Sequence, residues 1–244
     1  MKCPGQDSRY WKPGAVFEVE CPKCGSKVEF FKDDTTRVCR NCGNRLLNPR
    51  MDFSCAAYCR YAEQCLRNLP PELIAQREEL LKDSIAIEVK RYFGQDLRRI
   101  AHAMKVARYA ERIGKEEMAD MGVVMAAAYL HDIGIKEAER RFKSSAARYQ
   151  EELGPPIARK ILKNLGASEG LIDEVCDIVG HHHHPRENET TNFKVLYDAD
   201  LIVNLEEKQK ENPLDPAKLA EIVEKSFLTE AGRRLAAEVF KIGA

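Results

Sequence analysis

The chain has 244 residues, with 39 acidic and 39 basic side chains, so its formal net charge is zero. This balance argues against indiscriminate binding to nucleic acid or to anionic membranes. No apolar run approaches the ~18 residues of a membrane-spanning helix, and the first residues lack the apolar segment of a signal peptide. We therefore expect a protein of the reducing cytoplasm, without a membrane segment, that builds one large or two smaller cores.

The cysteines are concentrated near the start of the chain, where eight of the nine precede residue 66. In a reducing compartment, clustered cysteines indicate metal ligands before disulfides. Fourteen residues separate two matching knuckles, Cys21-Pro-Lys-Cys24-Gly and Cys39-Arg-Asn-Cys42-Gly. The glycine after each knuckle can adopt the positive φ of a tight turn, and four thiolates complete a tetrahedral zinc shell. Residues 17–20 and 27–31 alternate as short strands do. This region resembles a zinc ribbon.

The other four early cysteines form a candidate second metal site, composed of Cys3, Cys55, Cys59 and Cys65. Three of them fall on a predicted helix or helix-turn, and an N-terminus folded back over the ribbon would bring Cys3 close. A second zinc ion and an iron–sulfur cluster both fit four thiolates. Ordinary reduced cysteines that pack as small apolar side chains are the third possibility. We expect residues 1–69 to form a structural or partner-binding domain.

Residues 70–244 carry helical periodicity almost throughout, which predicts one all-helical domain and a mainly α protein. Gly94 ends a first helix from Glu72, Asp96 can cap the next, and an apolar helix spans Met118 to Leu130. The later predicted features are a charged segment from Ile135 to Gly154, a helix start at Gly154-Pro155-Pro156, a cap at Ser168, a helix over residues 192–205, and helix starts at Asp215-Pro216 and Thr229.

Metal-type ligands occur where a buried helix would normally carry none. His131 and Asp132 directly follow the apolar run Met121 to Leu130. The other candidates along the helical region are His102 upstream, and the run His181 to His184 with Asp198 and Asp200 downstream. These side chains lie on separate helical segments, so only packing between helices can bring them together.

The order of these residues, histidine, His-Asp pair, histidine cluster and aspartate, resembles the HD-domain metal-dependent phosphohydrolases over roughly residues 87–205. The resemblance implies a helical bundle in which His102, His131, Asp132 and Asp200 hold one ion. Asp198 competes for the last place, but the family's terminal aspartate follows an alanine and precedes a hydrophobic residue, as Asp200 does. Two imidazoles and two carboxylates suit Mn, Co, Ni, Fe or Zn. Such an ion lowers the pKa of the water that attacks phosphorus.

The number of metals remains open from the sequence. In HD relatives that hold two ions, histidines at the position of His181 and His182 bind the second ion. Such sites also use another histidine between the HD pair and this cluster, and no histidine occurs from residue 133 to 180. A single metal, with His181 or His182 binding phosphate or moving a proton, is the alternative. For His183 and His184, the alternative is a solvent-exposed turn.

The leading hypothesis is hydrolysis of a small-molecule phosphate ester, with a nucleotide monoester or diester as substrate. Lys105, one turn after His102, and Lys136, where many relatives carry a lysine, would hold phosphate beside the catalytic Asp132 and His181. For each lysine, the alternative is a solvated surface charge. The competing hypothesis is a non-catalytic nucleotide sensor or scaffold whose cysteine domain binds a protein, a nucleic acid or a redox cluster. A nucleic-acid partner is not expected, and the oligomeric state is left open.

Overall fold

The structure, a computed structural model, describes residues 16–51 and 71–242. The chain divides into two compact units, Met1–Glu78 and Glu79–Ala244. The predicted domain boundary, which separates residues 1–69 from residues 70–244, stays a prediction. Cys3, Cys55, Cys59 and Cys65 lie outside the described residues, so the second four-cysteine site also stays a prediction.

Residues 16–51 of the first unit form two antiparallel hairpins. Strands β1 (Val16–Glu20) and β2 (Lys27–Phe31) form one hairpin, and β3 (Thr36–Val38) and β4 (Arg45–Leu47) form the other. One cysteine knuckle occupies the turn of each hairpin. The glycines that follow the knuckles have φ angles of 70° and 72°, as the sequence predicts. The buried apolar side chains are few, so two buried cysteines form a large part of this core.

From residue 71 the described chain is helical, with no strand among residues 71–242. The helices are α1 (Pro71–Phe93), α2 (Leu97–Glu116), α3 (Met121–Leu130), α4 (Ile135–Phe142), α5 (Ala147–Leu165), α6 (Glu169–Val179), α7 (Thr191–Glu211), α8 (Pro216–Ser226) and α9 (Glu230–Phe240). Within the described ranges, no helix combines the length and the apolar character that crossing a bilayer requires.

Helix α3 lies at the centre of the helical unit. It is apolar on every side and seven of its ten residues are buried. A helix that is apolar all round must be enclosed by other elements, and α3 contacts α2, α6 and α7. The residues that follow its last turn therefore enter the interior of the bundle and not the solvent.

Capping side chains begin several helices as the sequence predicts. Asp96, Ser168, Asp215 and Thr229 each accept a hydrogen bond from a backbone N–H in the first turn of the helix that follows. Each cap satisfies a donor that has no partner inside its helix. These positions could be predicted because a cap depends only on nearby sequence.

Helix α5 differs from the prediction, because it begins at Ala147 and continues through Gly154, Pro155 and Pro156. Packing explains the difference. A Cβ atom added at Gly134 would lie 2.7 Å from the backbone nitrogen of Gly154, so the turn after α3 touches the backbone of α5 directly. This contact and the burial of Leu153 favour a continuous helix, although each proline removes one backbone donor.

Asp198 connects α7 to the start of α9. Its buried carboxylate accepts hydrogen bonds from the backbone N–H groups of Leu228 and Thr229, both at 2.8 Å, and from the Thr229 hydroxyl at 2.6 Å. The approach is so close that a Cβ atom added at Gly232 would overlap this carboxylate. Asp200 lies two residues further along α7 and therefore points to nearly the opposite side of the helix. Asp198 thus holds the bundle together and does not compete with Asp200.

We expect Asp198→Ala to lower the free energy of unfolding by at least about 2 kcal/mol, because two buried donors of Thr229 and the partly buried N–H of Leu228 lose their acceptor. Urea denaturation followed by circular dichroism measures the change. Asp173→Ala is the matched control, because Asp173 is 65% exposed and pairs only at the surface. A loss of stability no larger than that of the control would contradict a structural role for Asp198.

Candidate metal centres

The four knuckle cysteines converge on one point. Their sulfur atoms lie within 4.8 Å of one another, and the Cys21–Cys42 and Cys24–Cys39 sulfur pairs are both 3.6 Å apart. Zinc–sulfur bonds of about 2.3 Å place tetrahedral sulfurs about 3.8 Å apart. Hydrogen bonds from the Ser26 side chain and backbone lower the pKa of Cys24 to about 5, whereas burial and the neighbouring thiols raise the pKa of Cys42 to about 12. The geometry therefore fits a zinc-ribbon-like site.

Four elements of the helical unit direct candidate ligands toward one region. His102 lies on α2 and Asp200 on α7. His131 is the residue that ends α3, and Asp132 follows it in the turn that leads into α4. The remaining histidines form a turn directly after α6. The buried end of α3 thus brings the His-Asp pair beside two side chains from its neighbouring helices.

The first cluster consists of His102, His131, Asp132 and Asp200. His102 Nε2 lies 3.0 Å from Asp200 Oδ1 and 3.3 Å from His131 Nε2. Asp132 Oδ2 lies 3.5 Å from His131 Nε2 and 3.9 Å from His102 Nε2. Neighbouring ligands on an octahedral ion with bonds of about 2.1 Å are about 3.0 Å apart. Only small movements would bring these four donors to a shared ion.

Three imidazoles in the region hold Nδ1 against an acceptor and leave Nε2 directed inward. His131 Nδ1 is 2.9 Å from the Ala128 carbonyl oxygen, and His182 Nδ1 is 3.0 Å from the Val179 carbonyl oxygen. A carbonyl can only accept, so these two rings carry a proton on Nδ1. His102 Nδ1 instead faces a carboxylate, Glu207 Oε1, at 3.1 Å. Second-sphere acceptors of this kind orient histidine ligands in metal sites.

The charges in the first cluster indicate a place for a cation. Burial lowers the pKa of His131, so that ring is neutral. Burial also acts to lower the pKa of His102, but the hydrogen bond to Asp200 and the nearby carboxylates outweigh it and raise this pKa to about 9. His102 is therefore an imidazolium between Asp200 and Glu207. Its positive charge lies where the two aspartates and the neutral His131 converge.

A second cluster adjoins the first through Asp132. The ligand atoms of Asp132, His182 and His183 lie within 4.8 Å of one another. Among the described residues, the buried Nε2 atoms of His182 and His183 have no hydrogen-bond partner. Buried polar atoms are normally satisfied, so two adjacent imidazole nitrogens without partners fit a site for a cation. Burial and the neighbouring His182 lower the pKa of His183 to about 4, which leaves that ring neutral and able to bind metal.

The structure does not bring His181 into either cluster. His181 Nδ1 is 2.6 Å from the Asp177 carbonyl oxygen and its Nε2 is 3.0 Å from Glu189 Oε1. Its ring stacks on Phe193 with centroids 4.6 Å apart. The inward-facing pair is thus His182 and His183, one residue later than the sequence predicts.

The two predicted phosphate-binding lysines occupy different places. Lys105 lines a cavity of about 280 Å³ next to His102, and its ammonium is 2.7 Å from Glu206 Oε2. Lys136 donates a hydrogen bond at 2.6 Å to the carbonyl oxygen of Tyr92 and lies over the Tyr92 ring. Lys105 therefore lies beside the first cluster but is paired with Glu206, whereas Lys136 is bound to the end of α1.

Two residues in contact with the first cluster were not predicted. Asn204 donates to Asp200 Oδ2 at 2.9 Å, and Glu207 faces His102. Both follow Asp200 on α7, by four and seven residues, so all three share one face of the helix. Helical spacing from Asp200 is the signal that could have identified them.

Comparison with known proteins agrees with this geometry. The family model of the HD domain matches residues 99–226, which is more than half of the chain. The chain belongs to the HD domain family. The predicted family and the predicted mainly helical fold, with a small N-terminal β region and a cysteine cluster, are confirmed. A divalent metal is the cofactor that this family implies.

Two solved structures are similar to the chain. One is a predicted HD superfamily hydrolase from an uncultured Thermotogales bacterium, with 23% identity, coverage of 64% of this chain and 83% of the other, and a TM-score of 0.48. The other is Bacillus subtilis YpgQ, with 20% identity, coverage of 68% of this chain and 90% of the other, and a TM-score of 0.49. No curated protein matches the chain.

We expect binding of a divalent ion to the first cluster to release about one proton per ion between pH 6 and pH 8, because the ion must displace the proton of His102. Nearby carboxylates also raise the pKa of His182, so an ion in the second cluster should add to the protons released. The pKa of about 9 means that His102 is protonated in this range, so affinity should increase with pH and level off above about 9. Calorimetric titration with Mn²⁺ in buffers of different ionisation enthalpy counts the protons. Binding without proton release would show that His102 is already neutral.

Proposed function

We propose that the chain is a metal-dependent phosphohydrolase that acts on a small phosphate ester, with nucleotide monoesters and diesters as the first substrate classes to test. The observation that supports this proposal is the convergence of His102, His131, Asp132 and Asp200. A non-catalytic helical bundle has no evident need for two carboxylates and two imidazoles at ligand spacing in its interior. Their nitrogen and oxygen donors suit Mn, Co, Ni, Fe or Zn.

The protein residues in this proposal hold and orient the reacting groups. A divalent ion held by these residues would lower the pKa of water and neutralise phosphoryl oxygens. His102 and His131 present their Nε2 atoms to the site, and Asp132 and Asp200 supply the negative charge that retains a divalent cation. Asn204 fixes the second oxygen of Asp200, so the carboxylate keeps one orientation during turnover.

The second cluster supports a second cation site that shares Asp132. Asp132 Oδ2 faces the first cluster, while its Oδ1 lies 3.8 Å from His182 Nε2. A carboxylate with one oxygen toward each site can hold two ions, and two ions can engage both the attacking and the leaving oxygens of a phosphate ester. We propose Asp132, His182 and His183 as the ligands of the second ion.

The cavity beside His102 supports an anionic substrate. Its walls include the cationic side chains of Arg98, Lys105 and Lys210 and also the carboxylates of Glu207 and Glu211, with His102 as its contact with the first cluster. Arg98 lies 3.5 Å from both Glu207 and Glu211, and Lys105 pairs with Glu206. Because carboxylates already neutralise two of these cations in part, a substrate would compete for them. This arrangement favours small, strongly anionic groups such as phosphate.

We expect Asp132→Ala to lower kcat/KM for phosphate ester hydrolysis by at least ~1000-fold, because both clusters lose a ligand. The assay uses purified chain with Mn²⁺, Co²⁺ or Ni²⁺ and a panel of nucleotides and generic phosphate esters, with phosphate release as the readout. Asp173→Ala serves as the matched control, since Asp173 is an exposed aspartate on the surface of α6.

Each outcome of this assay distinguishes the two hypotheses. Hydrolysis that Asp132→Ala removes and Asp173→Ala preserves supports the enzyme. Equal activity in the wild-type chain and Asp132→Ala would contradict the proposed site. Tight nucleotide binding without product release, measured by calorimetry, would favour the sensor or scaffold.

We expect His183→Ala to bind one Mn²⁺ fewer per chain than the wild type, because the second cluster loses one of its three ligands. Equilibrium dialysis and elemental analysis count the ions, and zinc in the cysteine site is counted separately. His184→Ala is the control, because His184 is exposed and pairs with Glu151 outside both clusters. Equal manganese content in the wild type and His183→Ala would indicate a single-metal site.

A further inference from the structure

Glu207 has a geometric relation to the first cluster that the proposed function does not use. Its Oε1 lies 3.1 Å from His102 Nδ1, on the opposite edge of the ring from Nε2. The Glu207 side chain is only 32% exposed, and its second oxygen lies 3.5 Å from the Arg98 guanidinium. Arg98 therefore holds the carboxylate from the cavity side while His102 holds it from inside.

The position of one proton determines whether His102 can bind a metal. A neutral imidazole carries its proton on either nitrogen, and only the Nδ1–H form leaves the Nε2 lone pair free for an ion. His131 and His182 obtain this form from backbone carbonyls. His102 lies within α2, where it depends on a carboxylate from α7 for the same purpose.

Besides fixing the proton on Nδ1, the negatively charged Glu207 carboxylate changes the binding strength of the His102 ring, which a neutral backbone carbonyl does only weakly. A negative acceptor at Nδ1 increases the electron density of the ring and strengthens its bond to an ion at Nε2. It also adds negative charge close to the cluster without occupying a coordination position. Both effects increase the affinity of the neutral ring for an ion, and both depend on the side chain of Glu207 and not on the fold of the backbone. The same hydrogen bond contributes to the raised pKa of His102, so the gain is largest where the pH favours the neutral ring.

We infer that Glu207 is a positioning residue that fixes the Nδ1–H form of His102 and thereby sets the metal affinity of the first cluster. This inference rests on the proposed function only in requiring that His102 binds an ion. The alternative for Glu207 is a surface carboxylate that pairs with Arg98 and has no influence on the metal. Glu211 is such a surface carboxylate in the same cavity, because it lies 3.5 Å from Arg98 and makes no hydrogen bond or ion pair with His102.

The test measures Mn²⁺ affinity from the loss of the free-ion electron paramagnetic resonance signal, with the zinc-loaded full chain. Mn²⁺ prefers oxygen and nitrogen ligands, so the cysteine site does not compete for it. We expect Glu207→Ala to raise the dissociation constant by about 10- to 100-fold. Glu207→Gln should remain within about fivefold of the wild type, because its amide oxygen still accepts the Nδ1 proton. Glu211→Ala should bind as the wild type does.

The same titration in a His183→Ala background measures binding to the first cluster alone. Thermal unfolding of the same variants without Mn²⁺ shows whether a change in affinity comes from a change in stability. Addition of formate to Glu207→Ala should restore part of the lost affinity, because a small carboxylate can enter the cavity beside His102. If the wild type binds Mn²⁺ and Glu207→Ala binds it with the same affinity, the inference about Glu207 is overturned, whereas the proposed function is not. A wild-type chain that binds no Mn²⁺, Co²⁺ or Ni²⁺ would overturn the proposed function, and the inference with it.

Discussion

The arrangement of the helical unit depends on how it compensates the negative charges of Asp132 and Asp200, two carboxylates that face the same imidazole nitrogens of His102 and His131. The side chains of Asp132 and Asp200 are 21% and 12% exposed, so water compensates little of their charge. Negative groups withdrawn from water require a nearby cation. In the metal-free chain, protonated His102 supplies that charge at 3.0 Å from Asp200. The raised pKa of His102 and the site for a divalent ion thus have one electrostatic cause.

The backbone that carries these ligands is fixed by packing and not by the metal. Helix α3 is enclosed on all sides, so His131 at its end cannot reach solvent. The next turn passes so close to α5 that Gly134 has no room for a Cβ atom. Because this turn is held by the core, Asp132 keeps its two oxygens directed toward different clusters. Packing around this turn thus orients a carboxylate that serves both clusters.

Features that depend on local sequence could be predicted, whereas features that depend on three-dimensional contacts could not. Caps such as Asp96 and Thr229 follow from the residues beside them. The preference for Asp200 over Asp198 comes from the family pattern and stays a prediction. The sequence does not indicate that the Asp198 carboxylate binds the backbone of Leu228 and Thr229.

The histidine run shows the limit of sequence reasoning. Four consecutive histidines cannot be distinguished by spacing, and only the path of the turn after α6 decides which rings point inward. Glu189, eight residues after His181, removes that ring from the clusters by binding its Nε2 atom. The carbonyl of Tyr92, 44 residues before Lys136, likewise binds an ammonium that motif position alone would assign to phosphate. In both cases the deciding partner is distant in sequence or lies in an irregular loop.

The two candidate metal sites offer donors of different kinds, so they would favour different ions. Thiolates favour zinc strongly, and four sulfurs with 3.6 Å contacts leave no coordination position open. The helical site offers imidazoles and carboxylates, which accept several divalent ions and leave room for water and substrate. An ion in the cysteine site is therefore suited to stabilise a unit with few apolar residues. An ion in the helical site is suited to exchange ligands, which hydrolysis of a phosphate ester requires.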